Sequence, residues 1–272
     1  MASITCTGWM SPEVIEMDDI TTDGLRAQAY TGLALAFDRP DDELFEVLEC
    51  GELAGVLQSI GDTIGADDLV ATGTALEDME IDPVTLRQTY ARVFGLEADS
   101  GIPLYEVGYA PGSLLTNTDI MADIAGFYRA FGLSTQAESR DRVDALSTQL
   151  EYLGFLALRR AQYLEAADEE SVEIVTDATA TFLEDHLGRW VARLVLDILD
   201  VVEEPTYRTL ADALGALVEA DLARYSVEPA VYQEVPTAPL ASVAGFDPEA
   251  GRMDLGCGAN VPPTNRTMEV DQ

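Results

Sequence analysis

Apolar residues recur at steps of three and four along residues 139–166, and this rhythm constrains the fold more than any other feature of the sequence. The positions that share it are Leu146, Leu150, Leu153, Ala157, Ala161 and Leu164. Such steps place side chains on one face of an α-helix, whereas a half-buried strand alternates in steps of two. The segment therefore predicts a long helix that buries one face against other helices.

Helix start and stop signals extend this interpretation over most of the chain. Acidic residues stand where helices would begin, as at Asp41-Asp42 and Asp82-Pro83, and a carboxylate there accepts free backbone N–H groups. Gly188 suits a helix end. We predict an all-α fold, a single globular helical domain of about eight or nine helices. The predicted segments are 22–37, 41–60, 67–79, 82–95, 117–131, 139–166, 169–187, 188–202 and 205–226.

Two stretches lack helical periodicity. Residues 97–116 combine Gly and Pro with apolar and aromatic residues, which predicts a long ordered loop of the kind that often carries function. Residues 227–272 contain six of the 12 Pro, which predicts an extended tail. The predicted organisation is an N-terminal tail over 1–20, an all-helical domain over 21–226 and a non-helical, Pro- and Gly-containing tail over 227–272.

The charge balance is extreme for a chain that can form a core. Fifty acidic side chains against 15 basic ones give a net charge of −35, yet apolar residues make up 47% of the chain. A disordered acidic segment would be poor in apolar residues. In molar salt the screening length falls to roughly 3 Å, so the self-repulsion largely vanishes, and we predict an origin in an extreme halophile. The charge argues against a nucleic-acid partner, which needs a basic surface.

The rarer residues exclude several classes of site. All 15 basic residues are Arg, and without Lys the chain cannot form a Schiff base, a Walker A phosphate loop or the lysine site of a protein kinase. His186 alone cannot build a multi-histidine metal site, and its position suits a cap at a helix end. Cys6, Cys50 and Cys257 form no CxxC pair, and we expect Cys50 in the helical core. We predict no catalytic residue, no metal site and no cofactor.

Hydropathy predicts a protein that does not insert stably into a membrane. The sequence has no run of 18 apolar residues, which a transmembrane helix would need. Residues Met1–Asp19 carry four acidic residues and no basic one, unlike a secretory signal peptide. We therefore expect a cytoplasmic location.

One loop and one helix junction offer candidate binding residues. The loop contains Tyr105, Glu106 and Tyr109 beside glycine. Tyrosine supplies apolar area with a hydroxyl at low entropic cost, which suits a peptide-binding surface. The alternative is that both tyrosine rings pack the loop onto the core. The junction over 138–142 is the second candidate, and its alternative is a helix N-cap with acids that compensate the helix dipole.

Six motifs occur in an order that resembles a known family. They are Tyr90-Ala-Arg-Val-Phe94-Gly95, Pro103-Leu-Tyr105-Glu106 with Tyr109, Phe127-Tyr128 with Gly132-Leu133, Glu138-x-x-Asp141, Gln149-Leu150-Glu151-Tyr152-Leu153 and Phe182-x-x-x-His186-Leu187-x-x-Trp190. Their order and spacing on a helical chain are similar to those of the TorD/DmsD/NarJ family of redox-enzyme maturation (Tat proofreading) chaperones. The resemblance covers residues 22–226.

The resemblance implies a cytoplasmic chaperone without enzymatic activity. Such proteins bind the precursor of a molybdopterin oxidoreductase of the dimethyl-sulfoxide-reductase type, through its twin-arginine signal peptide or N-terminus, and delay export until the cofactor is loaded. The client-binding residues that match are Tyr105, Glu106, Tyr109, Glu138, Asp141 and Arg142. Ser139 stands where the family usually has Pro, and Arg142 where it has His.

Other interpretations stay open beside this one. A nitrate-reductase assembly factor would bind a segment that need not be a working export signal. A helical ligand-binding or scaffold protein would have no oxidoreductase client, and a halophilic hydrolase using carboxylates would need a closed polar pocket. GTP or molybdenum-cofactor binding is open by family analogy, although no phosphate-binding loop supports it. Monomer and homodimer are both open.

The charge pattern predicts how the affinity for a client peptide depends on salt concentration. We expect Glu106, Glu138 or Asp141 to pair with leader arginines at close range, while molar salt screens long-range steering. Apolar burial and close contacts should therefore dominate, and affinity for a leader peptide, measured by fluorescence anisotropy across a KCl series, should change little. A steep fall in affinity with rising salt would contradict this expectation.

Overall fold

Ten α-helices make up most of the described chain. The computed structural model describes residues 17–95, 101–111, 114–133, 142–232, 246–247 and 252–253. The helices are α1 (Met17–Phe37), α2 (Asp42–Glu49), α3 (Glu52–Ile64), α4 (Asp67–Glu77), α5 (Pro83–Val93), α6 (Leu114–Ala130), α7 (Leu146–Glu165), α8 (Glu169–Asp185), α9 (Val191–Val201) and α10 (Pro205–Tyr225). Two short 3₁₀ turns, Glu106–Gly108 and Leu187–Arg189, lie between them. The predicted all-α fold class is confirmed.

The described residues form one helix more than the nine predicted segments, because the segment 41–60 is two helices. Gly51 separates α2 from α3 with a left-handed φ of 73°, a conformation that glycine adopts without steric cost. The predicted start of the long helix at residue 139 is also wrong, since α7 begins at Leu146. Cys50, expected in the core, is exposed at the end of α2.

Helices α1 and α7 form the most extensive helix–helix contact of the described chain. Five of the six positions that predicted the apolar face of α7 are buried, and only Ala157 is partly exposed. Leu33 of α1 and Leu150 of α7 are fully buried, and burying one such side chain contributes about 1.5–3 kcal/mol. Gly154 permits the close approach, because a Cβ there would lie 3.2 Å from the carbonyl oxygen of Ala27.

A buried ionic cluster ties α1 to α7 and α10. The carboxylate of Asp23 in α1 accepts hydrogen bonds from Arg160 of α7 and, at 2.9 Å, from Arg224 of α10. Arg26 of α1 donates its Nε to Asp221 of α10 at 2.6 Å. Both aspartates are almost completely buried, and a buried charge is tolerated only when it is paired and hydrogen-bonded. The cluster therefore sets how these three helices align.

The chain divides into two units, residues 1–233 and 234–272. In the first, residues 227–232 follow α10 and return to the turn Leu187–Arg189, where Tyr232 N donates to the Arg189 carbonyl at 3.1 Å. In the second, β1 (Phe246–Asp247) and β2 (Arg252–Met253) pair antiparallel. The division into two tails and a helical domain stays a prediction.

The break at Gly51 can be tested with a matched glycine. Gly51→Ala should lower the free energy of unfolding by about 1 kcal/mol, because a left-handed backbone costs other residues about 1–2 kcal/mol. Gly55→Ala, inside α3 with open space around the new methyl group, should raise it by about 0.5–1 kcal/mol. Urea unfolding at constant KCl measures both, and changes of the same sign would contradict this account.

Candidate functional site

The loop that carries the predicted binding residues is held against the segment leading into α7. Tyr105 and Ala145 form an isolated antiparallel bridge. The backbone N–H of Glu106 donates to the carbonyl of Asp144 at 2.9 Å. These bonds place the loop close to Arg142, the described residue of the second candidate, the junction over 138–142.

Glu106 lies at the centre of this arrangement, and its side chain is fully buried. Gln149 of α7 donates Nε2 to Oε2 at 2.8 Å, and the hydroxyl of Tyr232 donates to Oε1 at 2.7 Å. His186, at the end of α8, places Nδ1 3.3 Å from Oε1. A buried carboxylate needs such partners to offset its lost hydration. We call these four residues the Glu106 cluster.

The second aromatic of the loop packs inward. The ring of Tyr109 stacks on that of Trp190 with 5.3 Å between centroids, and Trp190 Nε1 lies 3.4 Å from Gln149 Oε1. Burial raises the pKa of the Tyr109 hydroxyl. Tyr109 therefore packs as the alternative interpretation predicts, with its ring holding the loop on the core.

Tyr105 and Arg142 reach the surface together. The guanidinium of Arg142 lies 4.2 Å from the centre of the Tyr105 ring, within the range of a cation–π contact. It also donates to both carboxylate oxygens of Asp144, at 2.9 and 3.1 Å, and this bonding raises the pKa of Arg142. Asp144 is itself fully buried. Arg142 is exposed and Tyr105 half-buried, so a partner can contact both.

The remaining predicted residues are less accessible or not described. Glu138 and Asp141 lie outside the described residues. Glu106 would have to leave its internal partners before it could pair with an arginine of a client. Most of the N-cap alternative, residues 138–141, likewise lies outside the described residues, and Arg142 does not cap α7, whose N-cap is Ala145.

Sequence reasoning missed part of the Glu106 cluster. His186 was expected to cap a helix, and it is the C-cap of α8, but its ring is 3% exposed and faces Glu106. Gln149 and His186 stand in motifs of the family resemblance, which was the available signal for them. Tyr232 lies beyond the resemblance, and no sequence signal marked it.

The accessible groups of the candidate site are a guanidinium and an aromatic ring. Among the described residues, no three His, Cys, Asp or Glu side chains are grouped so that they could hold a metal ion. In the same part of the chain, no helix has the length and apolar character needed to cross a membrane. The exposed guanidinium of Arg142 and the half-buried ring of Tyr105 are groups that suit contacts with a peptide.

Residues 53–195 match the protein family described as nitrate reductase delta subunit. The match covers just over half of the chain. The chain belongs to this family. The matched range holds the loop, α7 and His186, and it ends before α10 and Tyr232. Family membership confirms the resemblance that the ordered motifs indicated, while the halophilic origin stays a prediction.

Three relatives are similar to parts of the chain. Over 105 residues it is 30% identical to the perchlorate reductase assembly chaperone protein of Dechloromonas aromatica (strain RCB), covering 38% of this chain and 45% of that protein. Over 156 residues it is 29% identical to the selenate reductase assembly chaperone protein of Thauera selenatis, covering 56% and 77%. Over 167 residues it is 28% identical to the chlorate reductase assembly chaperone protein of Ideonella dechloratans, covering 60% and 82%.

The buried carboxylate generates a stability prediction. Glu106→Gln should lower the free energy of unfolding by about 1–3 kcal/mol, because an amide group replaces one acceptor oxygen and faces a donor. The urea midpoint at constant KCl measures the loss.

Glu80→Gln is the matched control for this variant. Glu80 is exposed, so the same charge is removed at the surface, and the change should stay within about 0.5 kcal/mol. Equal midpoints for the two variants would show that the cluster does not depend on the carboxylate.

Proposed function

We propose that this chain is an assembly chaperone for a molybdopterin oxidoreductase of the dimethyl-sulfoxide-reductase type. It binds the precursor of the catalytic subunit, through a twin-arginine signal peptide or the N-terminus, and assists cofactor loading before export. Family membership carries the proposal, and the three relatives named as reductase assembly chaperones support it. The protein acts in the cytoplasm by binding its client and has no enzymatic activity of its own.

The proposed client surface centres on Tyr105 and Arg142. Both side chains are accessible, and Arg142 is held in place by the buried Asp144. A surface whose groups are already positioned loses less conformational entropy when it binds. Glu138 and Asp141 belong to the same surface in this proposal, whereas Glu106 and Tyr109 hold the loop from beneath.

A second candidate client is a nitrate reductase, and the description of the matched family favours it. In that case the bound segment of the client need not be a working export signal. The two candidates share the binding surface and differ only in what the client segment contains.

A pull-down separates these candidates. The tagged protein is recovered from its own cells, grown anaerobically, in concentrated KCl, and the bound proteins are identified by mass spectrometry. We expect a molybdopterin oxidoreductase subunit that still carries its twin-arginine leader. A nitrate reductase subunit without such a leader would favour the second candidate. Folded, expressed protein that captures no oxidoreductase would overturn both.

The same assay tests the binding surface. Tyr105→Ala should reduce the captured client at least about fivefold, because truncating a central aromatic contact typically costs more than 1 kcal/mol. Tyr163→Ala is the matched control, since Tyr163 is another half-buried tyrosine beneath an arginine, with Arg159 4.7 Å from its ring centre. Undiminished capture by folded Tyr105→Ala would place the client surface elsewhere.

A further inference from the structure

An acidic pocket lies directly beside the Glu106 cluster. It has a volume of about 650 Å³ and opens between α6 and the end of α8. Asp119 and Asp123 of α6 and Asp185 of α8 line it, together with Ile120, Ala122, His186 and Arg189. The three aspartates are exposed. In a chain with 50 acidic residues such a grouping arises easily, so it needs independent support.

His186 supplies that support. Its ring is 3% exposed, yet Nε2 has no hydrogen-bond partner and is aimed into the pocket. Asp123 Oδ2 lies 3.4 Å from Nε2 without the geometry of a hydrogen bond. The ring cannot easily turn away, because Nδ1 faces Glu106 and the edge of Phe127 packs at 5.5 Å between centroids. In the neutral tautomer whose Nδ1–H faces the Glu106 carboxylate, Nε2 is an acceptor directed toward the pocket.

The charges around this acceptor favour a cation. Asp119 and Asp123 are four residues apart on one helix, a spacing at which like charges repel. Arg189 adds one positive charge to a lining that contains three aspartates, so the pocket keeps a net negative charge. The guanidinium of Arg189 is also bonded within the protein, since its Nε donates to the Ala230 carbonyl at 3.1 Å and the group lies 4.2 Å from the centre of the Tyr232 ring. A ligand that supplies positive charge and several N–H donors would satisfy both the carboxylates and the histidine.

A guanidinium matches the lining of this pocket in charge and in its hydrogen-bond donors. It carries five N–H donors in a planar fork and binds carboxylates with two parallel hydrogen bonds. Ile120 and Ala122 offer apolar surface for the methylene stem of an arginine. The described residues hold no grouping suited to a metal ion, which leaves an organic cation as the better fit.

We propose that this aspartate pocket binds an arginine side chain of the client segment. The inference rests on the proposed chaperone function and adds a place where the basic part of the client is recognised, separate from Tyr105 and Arg142. Asp119, Asp123 and Asp185 supply the negative charge. His186 spans from the bound guanidinium to Glu106, so the buried cluster positions the acceptor.

Two synthetic peptides test the pocket. One carries consecutive arginines followed by an apolar stretch, and the other replaces both arginines by citrulline, which keeps the shape and removes the charge. Binding is measured by fluorescence anisotropy in molar KCl. We expect the wild-type protein to prefer the arginine peptide about tenfold, since hydrogen bonds to charged groups contribute about 1.5–3 kcal/mol and 1.4 kcal/mol is a factor of ten.

A matched pair of variants assigns that preference to the pocket. Asp119→Asn with Asp123→Asn should abolish the preference for the arginine peptide. Glu173→Gln with Asp177→Asn neutralises two exposed acids at the same spacing on α8 and should leave it intact. Urea midpoints check that both double variants are folded, and relief of repulsion should leave the pocket variant at least as stable as the wild type.

The outcomes separate the pocket from the proposed function. A preference that persists in the pocket variant, or a wild-type protein that binds both peptides equally, overturns the pocket inference. The chaperone proposal then still stands if the oxidoreductase co-purifies in the pull-down. A wild-type protein that binds neither peptide and captures no oxidoreductase refutes both proposals.

Discussion

Burial of the Glu106 carboxylate is the interaction on which the arrangement of the candidate site depends. Its oxygens face donors from α7, from the end of α8 and from the segment after α10. The backbone of Glu106 is in turn bonded to Asp144, just before α7. A buried carboxylate that lacks one of its partners lowers the stability of the fold. The arrangement that brings all of these segments to Glu106 at once is therefore the stable one. The described part of the loop between α5 and α6, in which the 3₁₀ turn Glu106–Gly108 lies, is thereby held in place.

The need to pair buried charges also governs the buried ionic cluster of α1, α7 and α10. Asp23 and Asp221 meet Arg26, Arg160 and Arg224 between α1, α7 and α10. In a chain with 15 arginines and 50 acidic residues, one of these three arginines, Arg26, is buried, and Arg160 and Arg224 are partly buried. Surface acids need no such partners, since water and salt ions solvate them. The two buried aspartates of this cluster are thus paired with arginines, whereas the buried Glu106 is held by Gln149, Tyr232 and His186.

This division of charge bears on how the protein recognises a partner. The buried half of the site, Glu106 with Asp144, holds the accessible half, Tyr105 with Arg142, in a defined position. A partner therefore meets side chains whose conformations are already restricted, which lowers the entropic cost of association. The pocket beside His186 has a similar arrangement, because the buried His186 ring places Nε2 beside exposed aspartates.

Much of the fold could be predicted because its signals are local. The three-and-four rhythm of α7 and the capping acids at Asp41 and Asp82 appear in the structure as predicted. Gly51 was overlooked because glycine inside an otherwise helical pattern is often tolerated, and only its left-handed backbone reveals the break. The loop and the junction were both singled out, but their contact depends on bonds between residues distant in sequence.

The sequence by itself determined where the helices form, which faces they bury and to which family the chain is similar. Those properties follow from periodicity, capping and ordered motifs within short stretches of chain. Only the tertiary structure decided that Glu106 is internal and Arg142 external, and that His186 and Tyr232 converge on one carboxylate. The reason is that the environment of an ionisable side chain is set by partners far along the chain, and Tyr232 lies 126 residues from the glutamate that it contacts.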